Sequence, residues 1–214
     1  NPAAGDVILA EDFSELILGG EFVIAAASAC TKLVESDGYN TLSGAFPTCY
    51  LAKAGEEKGL TDDAAKVGKR LEKWSYAFNS GSSVYSHVGC VKMGTGSNNT
   101  WLTTPVLSAI PAGKKADLEI TVTLAAYDAA AVATGFVYAG NIADKASITT
   151  AANVIKSSQI TTTVGQWKAY TVTLSGVDNT MRLAIGPDND TAKTAKGKGR
   201  MLVNDVVVKV TDLK

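Results

Sequence analysis

Gly89 to Leu107 reads GCVKMGTGSNNTWLTTPVL, and the rest of the chain is organised around it. Val91 and Met93 alternate with Lys92. Gly94-Thr95-Gly96-Ser97-Asn98-Asn99 then supplies residues that tolerate positive φ, and Trp101-Leu102-Thr103-Thr104 resumes a β-favouring run that Pro105 ends. The stretch is strand, turn, strand. No residue in it reads as a catalytic nucleophile, general base or metal ligand.

Towards the C-terminus the β signal strengthens. Leu118-Glu119-Ile120-Thr121-Val122-Thr123-Leu124 alternates apolar and polar without a break, the pattern of a half-buried antiparallel strand. Tyr170 to Leu174 repeats it, and Met181 to Ile185 follows a turn at Gly176 to Asn179. Gly165-Gln166 is placed to close a hairpin between Ile160 to Val164 and Trp167 to Leu174. Gly135 to Gly140 holds the short run Phe136-Val137-Tyr138. Met201 to Val210 is apolar on both faces except at Asn204, Asp205 and Lys209, so it belongs in the middle of a sheet.

Towards the N-terminus the signal weakens. Val7 to Phe13 is an opening strand that carries two acids, Glu11 and Asp12, in an apolar setting. Between Leu16 and Val34 the type stays open: Phe22-Val23-Ile24 favours strand, and the alanines after it favour helix. Glu35 to Gly59 is a long excursion that bears Tyr39, Phe46 and Tyr50. A helix is expected from Thr61-Asp62-Asp63, with Val67, Leu71 and Trp74 on one face. Trp74 to Phe78 reads equally as a strand, in which case the helix ends before Trp74. The fold expected is all-β: an antiparallel β-sandwich of the jelly-roll type, one domain over 1–214, with a partly helical insertion at about 28–73, before Trp74.

Composition removes several function classes. A net charge of −1 over 214 residues gives no global electrostatic drive towards phosphate backbones, so no nucleic-acid partner is expected. The longest apolar run, Phe22 to Cys30, is about half of the roughly 20 residues that a membrane helix needs, so no transmembrane segment is expected. Asn1-Pro2 opens with neither a charged nor an apolar leader region, so any export signal is expected to be already removed. Three cysteines allow one bridge at most: either Cys30 pairs with Cys49 and leaves Cys90 as a thiol, or all three are buried thiols.

Catalysis finds little to work with. His87 is the one histidine, no G-x-S-x-G elbow accompanies it, and no closely spaced zinc set exists. Gly197-Lys198-Gly199-Arg200 lacks the spacing of a phosphate loop and reads as a solvated hairpin tip. Glu56-Glu57, Asp62-Asp63 and Asp188 with Asp190 offer the paired acids of a glycosidase, but in turn or helix-start contexts where solvated or capping acids are ordinary. The expectation is no enzyme. Among the aromatics, Trp101 and Trp167 lie in strand-like sequence and read as core. Tyr39, Phe46, Tyr50 and Tyr85 lie in less regular chain and are the candidate ligand-binding rings, set against simple packing under a long loop.

One ordered set of motifs carries a resemblance. Ala10-Glu11-Asp12-Phe13, Gly89-x-Val91-Lys92-Met93-Gly94, Trp101-Leu102-Thr103-Thr104-Pro105-x-Leu107, Trp167-x-x-Tyr170-Thr171-Val172 and Leu202-Val203-Asn204-Asp205-Val206 occur in the order seen in galactose-binding-like jelly rolls. The chain resembles the cleaved-adhesin and carbohydrate-binding-module types found in secreted or surface proteins of Gram-negative gut anaerobes. The match spans the first strand and about Trp74 onwards, leaving about Gly20 to Lys73 outside. The resemblance implies a secreted or cell-surface location, often through a lipid anchor. It also implies non-catalytic binding of a glycan or cell-surface ligand, and commonly a structural calcium ion. Glu11, Asp12 and Asp205 are the metal candidates, set against the alternative that they cap strand ends or pair with Lys209 and Arg182. Adjacent strand residues face opposite ways, and Glu11 is favoured over Asp12 because it stands where resembling modules place a ligand. The chain departs from the family's two adjacent terminal acids, having Asn204-Asp205. A structural or spacer module of a surface lipoprotein or multidomain assembly, with no ligand of its own, is the alternative. Oligomeric state is not indicated by the sequence.

Overall fold

The computed structural model describes residues 1–14, 22–23, 34–35, 73–79, 84–87, 89–94, 98–126, 134–163, 166–189 and 199–214. The strands within them are β1 (Val7–Glu11), β2 (Phe22–Val23), β3 (Val34–Glu35), β4 (Ser75–Phe78), β5 (Tyr85–His87), β6 (Cys90–Met93), β7 (Thr100–Thr103) and β8 (Lys115–Ala126). They continue as β9 (Thr134–Asn141), β10 (Ala146–Ser147), β11 (Ala152–Lys156), β12 (Ile160–Thr161), β13 (Lys168–Asp178), β14 (Arg182–Pro187) and β15 (Met201–Leu213).

Two sheets form the body. One runs β13-β8-β15-β6-β5, with β1 also on β15, and the other runs β10-β4-β7-β14-β9-β11, with β12 also on β9. Pairing is antiparallel except for β10 on β4. The chain is an all-β, antiparallel sandwich, as its alternating segments require. The two strands predicted within 89–107 are present, and they enter different sheets: β6 beside β15, and β7 between β4 and β14. Gly94, at φ 80, starts the crossing, and its N–H donates to Thr100 Oγ1 at 2.7 Å.

The alternating segments fill the interior as written. Leu118, Ile120, Val122 and Leu124 of β8 are buried with Val172 and Leu174 of β13, Leu183 and Ile185 of β14, and Leu102 of β7. β15 is central, flanked by β8 on one edge and by β6 and β1 in succession on the other. A bulge at Asn204 keeps Val203 and Val206 in the same core although they are three residues apart. Phe13 holds φ at 52°, a left-handed conformation costing about 1–3 kcal/mol, and its buried ring meets Trp74 edge-on at 5.2 Å.

Some expectations change. Of Trp74 to Phe78, Ser75–Phe78 is strand (β4) and Trp74 immediately precedes it. The helix from Thr61 and most of the 28–73 insertion lie outside the described residues. The hairpin expected across Gly165-Gln166 does not form, because β12 pairs with β9 and β13 pairs with β8, in opposite sheets. Gly199 is buried rather than solvated, its α-carbon so close to Asn99 and Pro187 that a β-carbon would stand 2.5 Å from Asn99 Oδ1. Among the described residues no helix is long and apolar enough to cross a membrane.

Candidate functional site

Along one edge of β15, β6 occupies Met201 to Val203 and β1 occupies Val206 to Lys209, so the bulge at Asn204 and Asp205 falls where one neighbour hands over to the other. β1 ends there with Glu11, paired to Val206, and Asp12 follows. Glu11 is 3% exposed, and its Oε1 accepts the Phe13 N–H at 2.7 Å. Asp12 accepts from the Ser14 N–H and hydroxyl, at 3.0 and 2.7 Å. Burial, and then the charges of Asp12 and Glu11, push the Asp205 carboxyl above the ordinary range, against the opposing pull of a Val206 N–H. The three predicted metal candidates therefore share one neighbourhood.

No group of three His, Cys, Asp or Glu side chains among the described residues is gathered closely enough to hold a metal. The donors at the split edge are nonetheless all oxygen. Asn204 Oδ1 is buried there without a hydrogen-bond partner, an atom whose burial is costly unless something donates to it or coordinates it. Carboxylates and an amide oxygen suit a hard cation such as calcium and do not suit zinc.

The predicted ligand-binding rings are placed unevenly. Tyr39, Phe46 and Tyr50 lie outside the described residues. Tyr85 opens β5, at the far edge of the six-stranded sheet from β13. His87 ends that strand. Trp101 is fully buried, as expected for core, but on the outer face of the seven-stranded sheet, in a second cluster with Phe136, Tyr138, Ala77, Ala184, Ile142 and Ile148. Trp167 departs from expectation: it precedes β13, is partly exposed and packs in neither cluster.

Hydrogen bonds fix the second cluster. The Trp101 indole N–H donates to the Pro187 carbonyl at 2.8 Å, the Tyr138 hydroxyl donates to the same carbonyl at 3.3 Å, and the Asn189 N–H donates to that hydroxyl at 2.9 Å. Burial, with the nearby Asp188 charge, pushes the Tyr138 hydroxyl well above its usual range, while the Asn189 N–H opposes the shift. Lys156 Nζ sits 3.8 Å from the Phe136 ring centroid and 2.7 Å from Asp188 Oδ1. Asp188, one of the acids considered for glycosidase chemistry, is thus neutralised by an ion pair. Glu56, Glu57, Asp62, Asp63 and Asp190 lie outside the described residues. So do Cys30 and Cys49, while Cys90 is a buried free thiol whose ionisation is pushed far up by burial. The surface hollow lined by Gly113, Lys115, Asp117, Ser175, Gly176 and Lys214 holds a Lys214 to Asp117 pair across it.

No protein-family model matches the chain, and no curated protein matches it. Solved structures do. The N-terminal CBM22-1-CBM22-2 tandem domain of Paenibacillus barcinonensis Xyn10C superposes with a TM-score of 0.50 at 10% identity, over 98% of this chain and 46% of its own length. The chain shares the jelly-roll fold of that tandem. It spans about half the tandem's length. The CBM22-1 xylan-binding domain of the same protein gives a TM-score of 0.48 at 10% identity, covering 99% of both chains. The K3 cleaved adhesin domain of Lys-gingipain from Porphyromonas gingivalis gives 0.39 at 20% identity, over 64% of this chain and 91% of that domain. The jelly-roll fold expected from the sequence is the fold that the first of these superpositions shows.

Proposed function

We propose that the chain is a non-catalytic binding module of the cell exterior that takes a glycan. The observation that carries this reading is the two-sheet sandwich itself, which follows a CBM22 tandem domain along 98% of the chain at a TM-score of 0.50. The ordered motifs of the sequence support it, from Glu11-Asp12 to Asn204-Asp205. Tyr39, Phe46, Tyr50 and Tyr85 are its candidate stacking rings, because a sugar's apolar face lies on an aromatic ring while polar neighbours take its hydroxyls. The protein acts in a secreted or surface-attached form, and a lipid anchor in a longer chain fits that role. A broad glycan array tests the reading: signal on a defined group of glycans is expected, and none at high protein concentration would defeat it in favour of a spacer module.

A structural calcium ion belongs to the same proposal. Asp205, with Glu11 or Asp12 from β1 and the residue after it, would hold it, Asp12 exerting the larger charge on Asp205 and Asn204 Oδ1 being a further oxygen donor. The ion would neutralise acids that otherwise repel across the β1 to β15 junction. A ligand that binds only the native state raises the melting temperature with its concentration. Millimolar calcium against EDTA should therefore shift the melt upward, and an unchanged melt would remove the ion from the account.

A further inference from the structure

We infer that the outer face of β13 and β8, with Trp167 at its end, binds a neutral oligosaccharide; this rests on the glycan-binding reading and adds a surface apart from Tyr85, which lies at the opposite edge of the sheet. The chain has three tryptophans. Trp74 and Trp101 are 3% and 0% exposed and built into the two apolar clusters, whereas Trp167 is partly exposed and belongs to neither. A large indole left partly in water at the start of a long strand has apolar area to offer a ligand.

The strand beside it is shaped to receive one. In β13, Val172 and Leu174 are buried while Ala169, Thr171 and Thr173 are exposed, and stepping back two residues from Ala169 reaches Trp167. Across the sheet, Ala169 stands opposite Thr123, which stands opposite Asp205, and Thr171 stands opposite Thr121, which stands opposite Val207. These side chains are short, so the face is flat. Thr121 and Thr171 join hydroxyls at 3.1 Å, each keeping capacity for a further hydrogen bond. A pyranose on the indole would meet a row of hydroxyls that both donate and accept.

Charge selects the ligand class. On the same sheet Glu119 and Lys209 cancel one another at 3.1 Å, and Lys168 lies 5.3 Å from the Tyr170 ring centroid. Asp205, opposite Thr123, and Glu119, opposite Thr173, are the carboxylates that border the hydroxyl row in the register. Among the described residues of this face no cluster of cations is present to hold a phosphate, sulfate or uronate, so the surface suits an uncharged, hydroxyl-rich chain.

The test uses the intact chain with xylohexaose, cellohexaose and a neutral galactohexaose, each titrated while tryptophan emission and acrylamide quenching are followed. With Trp74 and Trp101 buried, quenching reports chiefly on Trp167. The expected result is that at least one of the three protects the emission from acrylamide. Trp167→Ala should weaken that binding by about tenfold or more with an unchanged melt, and Trp167→Phe should retain most of it. Thr123→Arg, which places a long charged side chain on the face and leaves the indole alone, should also abolish binding. If Trp167→Ala fails to fold, Trp167→Phe and Thr123→Arg decide. Binding of a saccharide that both Trp167→Ala and Thr123→Arg leave intact would overturn the site and leave the glycan reading standing. An array signal confined to charged glycans, with none of the three hexasaccharides bound, would do the same. A blank array would remove the glycan reading and this site with it.

Discussion

Replacing Gly186 by alanine tests how the outer face of the seven-stranded sheet is built. A β-carbon there would stand 2.5 Å from Trp101 Cδ1, 2.9 Å from Trp101 Cγ and 2.9 Å from the Thr100 carbonyl. Neither neighbour yields easily. The carbonyl is backbone within β7, and the indole is fully buried and tied by its N–H to the Pro187 carbonyl at 2.8 Å. Overpacking of this kind costs about 1–3 kcal/mol, and pulling the indole from its acceptor adds about 1 kcal/mol. The reduced freedom of the unfolded chain returns about 0.4–1 kcal/mol. A net loss of about 2–3 kcal/mol lowers the melting temperature by about 5–10 °C in a domain of this size. Differential scanning calorimetry or thermal circular dichroism reads that shift directly. Combining Gly186→Ala with Trp101→Leu should recover part of the loss, since the two residues contact and their effects are not additive. A Gly186→Ala protein that melts within about 1 °C of the parent would refute the packing described for Trp101.

Three further outcomes follow from other contacts. Arg182 bridges Asp144 at 3.0 Å and donates to the carbonyls of Thr104 and Lys73, so Arg182→Ala should cost about 1–2 kcal/mol in urea unfolding; an unchanged midpoint would show that the bridge contributes nothing. The Thr180 hydroxyl and N–H hold the Asp178 carboxyl below the ordinary aspartate range. Its folded value being depressed, its contribution is complete above the unfolded value of about 3.9 and is lost as pH falls through the lower folded value. The melting difference between parent and Asp178→Ala should therefore be present at pH 7 and shrink at pH 2.5, and a difference that grows on acidification would reverse the sign. Thiol titration without reductant should find one reactive group after denaturation and none before, since Cys90 is buried; three after denaturation would exclude the Cys30 to Cys49 bridge.

Legibility in the sequence tracked how much one face differed from the other. β8 and β13 were readable because every second residue is apolar, and β15 was readable as central because it is apolar on both sides. Sheet membership was less so: alternation marks a strand without naming its partner, and for that reason 160–174 looked like a hairpin although β12 and β13 belong to different sheets. Trp101 and Trp167 carry the same signal in sequence, an indole at the edge of a β-favouring run, and only three-dimensional neighbours separate the buried ring from the partly exposed one. At the split edge of β15 the acids Glu11, Asp12 and Asp205 were visible as charges out of place. The burial of the Asn204 amide oxygen beside them was not, because a bulge is set by pairing on both edges of the strand rather than by residue type.

Native electrophoresis through gels cast with soluble neutral polysaccharides, with bovine serum albumin alongside, tests the central claim most directly. Retarded migration in at least one polysaccharide, with no reducing ends released from it on prolonged incubation, is the predicted result. Unchanged mobility in every gel would contradict glycan binding, and release of reducing ends would contradict a non-catalytic role.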